Sequence, residues 1–164
     1  MTGLLSNLFA RGEPVLSEAT SRDAAAIAAL HAASFRRGWS EPEVEALLLD
    51  RHVIAHCATV GAKRTKFAGF IMARRAADEA EILSVAVAGA RRGKGLARAL
   101  LTLHLRRLAG LGVHTVFLEV DENNAPAIRL YHRAGFREVG RRPNYYPGAA
   151  GKPATALVLR RDLT

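Results

Sequence analysis

Three features of the sequence have residue types and spacings suited to chemistry: the basic glycine-rich turn Arg91-Arg92-Gly93-Lys94-Gly95-Leu96-Ala97, the isolated carboxylate Glu119, and Tyr131 twelve residues beyond it. The turn falls between an apolar stretch, 81–87, and a leucine-rich helical pattern that begins at Leu96. A strand, a Gly-x-Gly turn and a helix together make a site for phosphate. Glycines let the backbone approach an anion closely, and the first-turn N–H groups of the helix are unpaired donors. The helix dipole adds ~0.3–1 kcal/mol for a negative group, and Arg91, Arg92 and Lys94 add charge at the rim. The spacing excludes a Walker A loop, and it excludes the dinucleotide fingerprint because Arg98 stands where a third glycine is needed. Read alone, the turn is an anion site or a solvated surface turn.

Glu119 interrupts the apolar run Phe117-Leu118-Glu119-Val120 near the C-terminal end of a strand. Ligands bind at that end in open α/β sheets. A carboxylate there suits abstraction of a proton, directly or through a water, and the holding of a cationic amine. The alternative is a strand-end surface glutamate. Tyr131 follows across one turn and a short helix, which could fold it back onto the same cleft as a proton donor; otherwise it is a core aromatic beside Ile128. Asn124 stands at the start of that helix as its cap. Tyr145 and Tyr146, in a loop between Pro143 and Pro147, either wall a substrate entrance or pack within a hairpin. Glu43, Asp121 and Glu122 read as an acidic first helical turn and a polar turn.

Short strand and helix patterns alternate along the chain, which indicates a mixed α/β domain. Strands are expected at 14–20, 53–60, 67–74, 81–87, 114–120, 136–140 and 156–160. The 53–60 and 67–74 segments should form a hairpin across the polar turn 61–66. Helices are expected at 22–33, capped by Ser21; at 41–49, where Ser40, Pro42 and the acidic first turn mark a start; at 96–109, with Leu96, Leu100, Leu103 and Leu108 on one side and Gly110 and Gly112 at its end; and at 125–134. The 144–153 region, with Pro147, Gly148, Gly151 and Pro153, reads as a long loop. Residues 1–12, with Leu4, Leu5, Leu8 and Phe9, form an N-terminal extension to a single domain spanning 13–164.

At 164 residues and 49% hydrophobic, the chain can bury a core without disulfide or metal support. Its net charge of +9 favours an anionic partner without choosing among a nucleotide-like cofactor, RNA and an anionic surface. The basic residues are not interleaved with aromatics in a nucleic-acid motif, so no DNA partner is expected. Cys57, the single cysteine, lies in an apolar stretch and reads as a core residue in a reducing, cytoplasmic setting. No segment approaches the apolar length of a membrane span, and the six histidines show no metal-binding spacing.

The segment from Val85-Ala86-Val87 through Arg92, Gly95 and Ala97 resembles the central motif of the GNAT N-acetyltransferase superfamily, an Arg/Gln-x-x-Gly-x-Gly/Ala turn between strand and helix. Arg91 and Gly93 offer a near-register alternative. The string Leu118-Glu119-Val120, Asn124, Tyr131 and Ala134-Gly135-Phe136 resembles the superfamily's second cofactor-side motif. Together they cover 81–140. More narrowly, Trp39-Ser40, Leu118-Glu119-Val120, Asn124, Tyr131 and Asn144-Tyr145-Tyr146-Pro147 resemble the bacterial ribosomal-protein-alanine (RimI-like) N-acetyltransferases. Asp121-Glu122 departs from that group, which often has an arginine after the Glu-Val pair.

The resemblance implies an α/β (α+β) fold: a mostly antiparallel twisted sheet with two splayed central strands and helices on both faces. It implies acetyl-CoA as co-substrate, with the pyrophosphate on the backbone of Arg92, Gly93, Lys94, Gly95, Leu96 and Ala97. The pantetheine arm would lie along Val85, Ala86 and Val87, where a strand N–H polarises the thioester, and Asn124 would contact the same arm. Glu119 is implied as base and Tyr131 as the acid that protonates the departing thiolate. Trp39, Glu119, Tyr145 and Tyr146 are implied as acceptor-side residues. The acceptor expected is a protein N-terminus, such as that of a ribosomal protein. The alternatives are a small amine, or a catalytically silent RNA- or ribosome-binding module.

Overall fold

The computed structural model describes residues 13–61, 63, 65–146 and 152–163. The extension 1–12 and half of the expected 144–153 loop, 147–151, lie outside the described residues. In chain order the elements are β1 (Val15–Glu18), α1 (Ala24–Ser34), α2 (Glu41–Leu49), β2 (Val53–Val60), β3 (Lys66–Ala76), β4 (Glu79–Val87), α3 (Leu96–Gly110), β5 (Thr115–Asp121), α4 (Ala125–Arg133), β6 (Arg137–Tyr146) and β7 (Ala154–Asp162).

The strands form one seven-stranded sheet in the order β1-β2-β3-β4-β5-β7-β6. Every neighbouring pair is antiparallel except β4 and β5, which run parallel from Glu79↔Thr115 to Ile82↔Leu118. That parallel pairing stops at Ile82 and Leu118, although β4 continues to Val87 and β5 to Asp121. β5 stays paired with β7 through Asp121↔Ala156, so the sheet opens between β4 and β5 alone. At the opening β4 carries a bulge: Ile82 pairs with Ala73 and Ser84 with Met72, leaving Leu83 as the extra residue. A bulge bends its strand and breaks the ladder locally, which is what strand separation needs.

Each face of the sheet is covered. On one side Ile71, Ala73, Ile82, Val116 and Leu118 pack against Leu100, Leu101, Leu105 and Leu108 of α3, with Tyr131 of α4 in the same cluster. On the other, Val53, Ala55, Phe70, Met72 and Ala86 pack against Ala24 and Ile27 of α1 and Val44 of α2. The buried face of α3 is Leu96, Leu100, Leu101, His104, Leu105 and Leu108, an apolar stripe at helical spacing. Each leucine so buried contributes roughly 1.5–3 kcal/mol. Leu103, expected on that stripe, is only half-buried, and His104 takes the interior position.

Two other expectations are corrected. Thr20, not Ser21, caps the first helix: its side chain accepts from the Arg22 N–H at 3.4 Å, and its own N–H donates to the Asp23 carboxylate at 2.8 Å. A single 3-10 turn, Ser21–Asp23, then leads into α1. Tyr145 and Tyr146 do not lie in a loop; they end β6, which extends well past Gly140. β6 is an edge strand, where proline is tolerated because no further neighbour needs its N–H. Its pairing with β7 shifts between Arg142 and Tyr146, around Pro143 and a left-handed Asn144 at φ 59°.

Candidate active site

The phosphate turn is built by backbone conformation. After β4 the chain makes one 3-10 turn, Gly89–Arg91, and enters α3 at Leu96. Gly93 and Gly95 have φ of 75° and 80°. A Cβ at either would meet nothing within 4 Å, so the left-handed backbone, not lack of space, is what asks for glycine. Gly95 caps α3 without a side chain, so no side-chain acceptor competes for the first-turn N–H groups. The Arg92 Nε donates to the Val87 carbonyl at 3.1 Å and ties the turn to the end of β4.

An open cavity of about 1080 Å³ begins at this turn and runs between α3 and α4 to the edge of β4. Of the residues expected to hold a cofactor, Val85, Ala86, Val87, Arg92, Gly93, Gly95, Leu96, Ala97 and Tyr131 line it. Lys94 and Asn124 do not appear in its wall: Lys94 is exposed, and the Asn124 Oδ1 accepts the Ala127 N–H at 3.3 Å as the cap of α4. The cavity therefore combines free helix N–H groups, cationic walls and an open strand edge. That set suits a ligand with phosphates at one end and a long amide-bearing arm at the other.

Glu119 is the first residue of β5 beyond Leu118, the last that pairs with β4. It points to the side of the sheet opposite Val116, Leu118 and Val120, with 18% of its side chain exposed. Its Oε1 lies 3.1 Å from the Arg142 Nε of β6. The Arg142 guanidinium sits over the Tyr145 ring at 5.3 Å, and Tyr145 meets Tyr146 edge-on at 5.0 Å. Burial, then the neighbouring Glu119 carboxylate, Tyr145 and Asp121, push the Tyr146 hydroxyl up to about 12, with Arg142 opposing. Tyr131 is also pushed up to about 12, first by burial and then by Tyr146. Tyr146 thus sits within electrostatic reach of both Glu119 and Tyr131. Tyr131 itself is 8% exposed, with its ring edge-on to Phe136 at 5.8 Å.

Glu119, Tyr131, Tyr145 and Tyr146 are in this way brought to one end of the β4–β5 opening. Trp39 is held in the α1–α2 layer instead. Its ring stacks on His31 at 4.0 Å, and its backbone N–H donates to the His31 Nδ1 at 3.0 Å. Burial lowers the His31 pKa, which keeps that nitrogen an acceptor. Two residues at the opening escaped the sequence reading. One is Arg142, whose only signal was its place before the Asn-Tyr-Tyr-Pro run. The other is the side chain of Ser84, which was expected only as part of the strand 84–87 along the arm; its buried Oγ has no partner among the described residues.

Cys57 is buried with its Sγ 3.5 Å from the Ser17 Oγ, and burial pushes its thiol up, away from a nucleophilic thiolate. Among the described residues no three His, Cys, Asp or Glu side chains cluster to hold a metal ion, and no helix is long and apolar enough to cross a membrane.

Comparison with known proteins gives concordant results. The family model described as the acetyltransferase (GNAT) family matches residues 24–136. A [ribosomal protein bS18]-alanine N-acetyltransferase of Escherichia coli K12 is 41% identical over 87 residues, 53% of this chain and 59% of that protein. Its counterpart in Haemophilus ducreyi is 34% identical over 90 residues, 55% of this chain and 62% of that protein. The chain thus matches about three-fifths of the length of these relatives. The crystal structure of the E. coli ribosomal-protein-S18-alanine N-acetyltransferase superposes with a TM-score of 0.84 at 29% identity, covering 93% of this chain and 95% of that one. Arabidopsis thaliana NAA60 in complex with acetyl-CoA shares the fold, with a TM-score of 0.79 at 20% identity over 92% of this chain and 98% of that one.

Proposed function

The chain belongs to the acetyltransferase (GNAT) family, and we propose that it transfers an acetyl group from acetyl-CoA to a primary amine, the N-terminal α-amino group of a protein. The observation that carries this reading is the opening between β4 and β5. On one face of the sheet it meets the phosphate turn and the cationic cavity; on the other it meets Glu119 and the Tyr145–Tyr146 pair. A donor held on one face and an amine held on the other would meet through the gap.

Acetyl-CoA would supply the activated thioester. Every other requirement falls on this chain. The turn at Gly93–Ala97 holds the pyrophosphate with backbone N–H groups and a positive helix end. Residues Val85–Val87, unpaired on their β5 side, offer backbone groups to an extended arm. Glu119 attracts the acceptor's ammonium and takes its proton, directly or through a water. Tyr131 stays protonated at neutral pH, as its pKa of about 12 requires, and holds a proton for the departing sulfur. Trp39 enters only as a support of the acceptor-side helices through its stack on His31.

A protein N-terminus is favoured over a small amine by the ribosomal-protein-alanine acetyltransferases among the relatives, and by the aromatic wall of Tyr145 and Tyr146 beside Glu119. The single buried cysteine suits a reducing cytoplasm. We place residues 13–164 in one catalytic domain, with 1–12 as an extension. The test is CoA release from acetyl-CoA with an Ala-initiated basic peptide, with free polyamines and amino acids in parallel. Turnover should favour the peptide, and Glu119→Gln should lower it by on the order of 10²-fold or more. Equal turnover by both proteins would remove Glu119 from the mechanism. Preference for the small amines would replace the acceptor, and mass spectrometry of ribosomal proteins from a deletion strain would decide independently.

A further inference from the structure

We propose that Ser84 is a second acceptor-side contact, whose Oγ works with Glu119 to hold and orient the acceptor's amine at the opening between β4 and β5. The proposal rests on the acetyl-transfer reading above.

Ser84 is 7% exposed, and its Oγ is buried with no partner among the described residues. Two other buried side-chain atoms there are unpaired, Arg75 Nε and His104 Nε2. Each of those side chains bonds through another nitrogen: the Arg75 Nη1 donates to the Leu111 carbonyl, and the His104 Nδ1 meets the His56 Nδ1. Ser84 has a single polar side-chain atom, so its whole hydrogen-bonding capacity goes unused. By contrast, the Ser34 hydroxyl donates to the Leu30 carbonyl at 2.7 Å, and the Ser17 Oγ lies 3.5 Å from the Cys57 Sγ. A buried hydroxyl without a bond costs stability, and an alanine in its place would avoid that cost. Such a cost at the edge of a site points to a partner that arrives with the ligand.

The place of Ser84 in the sheet says which ligand. The last rung between β4 and β5 is Ile82↔Leu118. Beyond it β5 continues with Glu119, and β4 with the bulged Leu83 and then Ser84. Ser84 pairs with Met72, whose side chain packs in the cluster beneath α1 and α2. Directly opposed residues of neighbouring strands share a face. Glu119 faces that same side, away from Val116, Leu118 and Val120. The two polar groups therefore flank the opening on its acceptor side, where the strands begin to diverge from a spacing of about 4.8 Å. The cavity that suits the cofactor lies on the other face, between α3 and α4.

No bond ties the Ser84 hydroxyl to its resting position, so one χ1 rotation re-aims it without breaking anything. An amine that attacks a thioester points its lone pair at the carbonyl carbon and has two N–H bonds left to place. Glu119 accepts one and the Ser84 Oγ accepts the other, which aims the lone pair into the gap. The N–C bond forms, the C–S bond breaks, the surplus amine proton passes to Glu119, and the sulfur takes a proton from Tyr131. Ser84 keeps its own proton throughout. With no base bonded to it, it is not a nucleophile.

The test compares wild type with Ser84→Ala and with the near-isosteric Ser84→Cys, using an Ala-initiated basic peptide. Three quantities are read: the melting temperature without ligands, the acetyl-CoA Kd by calorimetry, and kcat/KM for the peptide. Losing a hydrogen bond to the reacting amine should lower kcat/KM by about tenfold or more in both variants. The acetyl-CoA Kd should stay within about twofold of wild type, because Val85–Val87 hold the cofactor with backbone groups that the substitutions leave in place. The melting temperature of Ser84→Ala should equal or exceed that of wild type. Unchanged peptide turnover in Ser84→Ala overturns the role of Ser84 and leaves the acetyl-transfer reading intact. So does full activity in Ser84→Cys, which would reduce Ser84 to a space filler. A fall in the melting temperature of Ser84→Ala by about 3 °C or more also overturns it, by showing a bonded hydroxyl in the free protein. An acetyl-CoA Kd that rises along with the loss of turnover overturns it too, by making Ser84 a support of the cofactor strand. A wild type that binds no acetyl-CoA overturns both readings.

Discussion

His56 of β2 and His104 of α3 meet inside the protein, Nδ1 to Nδ1 at 2.8 Å, with their rings edge-on. They are 3% and 0% exposed. One Nδ1 donates and the other accepts, so a proton on the accepting nitrogen would set two donors against each other, and burial disfavours the charge on either ring. His104 is pulled down to about 3, first by burial and then by His56. His56 is also lowered, chiefly by burial, with the Glu18 carboxylate opposing and Arg107 adding. Both pKa values lie below that of an unfolded histidine, so between about pH 3 and 6.5 the unfolded chain binds more protons. Stability is then complete above about pH 6.5 and is lost as pH falls. For a shift from 6.5 to about 3, His104 alone removes about 2 kcal/mol between pH 7.5 and pH 5. That is a large share of the 5–15 kcal/mol typical of a domain. His56 and the similarly lowered His31 act in the same direction. Glu43 and Asp162 are held below the usual carboxylate range, so neither titrates in this window. Urea unfolding at pH 7.5, 6 and 5 should show the loss, and a His56→Leu/His104→Leu variant should lose about 2 kcal/mol less. Histidine hydrogen–deuterium exchange on the native protein needs no variant: the His104 ring should exchange slowly, with no inflection between pH 5 and 8. An inflection near pH 6.5 in the folded protein, or a wild-type stability flat over this range, would refute the reasoning.

Two further predictions concern the opening between β4 and β5. Arg142 is 58% exposed, so its ion pair with Glu119 contributes at most about 1 kcal/mol to stability. It nevertheless occupies the carboxylate an incoming ammonium needs, so Arg142→Ala should leave the melting temperature nearly unchanged and lower the peptide KM, with the acetyl-CoA KM unmoved; a rise in the peptide KM would make Arg142 a substrate contact. Tyr131, with its pKa at about 12, should put no descending limb on the pH–rate profile below about pH 10, and Tyr131→Phe should lower kcat by about tenfold or more. A limb near pH 9 that vanishes in Tyr131→Phe would contradict the burial of that hydroxyl.

Elements with local causes were legible from the sequence. Ser40 and Glu43 form the capping box that starts α2, and Gly112, at φ 85°, ends α3 where a left-handed residue was expected. The misreadings came where a neighbour decides. Thr20 and Ser21 are adjacent hydroxyls, and only the bond the Thr20 N–H donates to the Asp23 carboxylate selects the first. The leucine pattern favoured Leu103 over His104, because nothing local announces that His56, 48 residues earlier, will satisfy a buried ring nitrogen. Pro143 and Asn144 signalled a loop, yet an edge strand needs no N–H from its proline and absorbs the left-handed residue in a register shift.

The site divides along the same line. The 91–97 turn was legible because glycines and cations act where they stand in the chain. Glu119 was legible because a carboxylate among Phe117, Leu118 and Val120 violates its surroundings. What makes Glu119 useful is not written locally. Side chains alternate across a strand, so a one-residue slip of β5 would place Leu118 or Val120 on the acceptor side and carry the carboxylate into the α3–α4 core. The register is fixed by β7, which pairs with β5 along its whole length through Asp121↔Ala156. The opening is fixed on the other strand by the bulge at Leu83, one residue past the last rung between Ile82 and Leu118. Had that rung pattern run on, Val85–Val87 would have spent their backbone groups on β5 and left none for a ligand. The position of one bulge therefore decides which strand edge is free, and the β5–β7 register decides which carboxylate stands beside it.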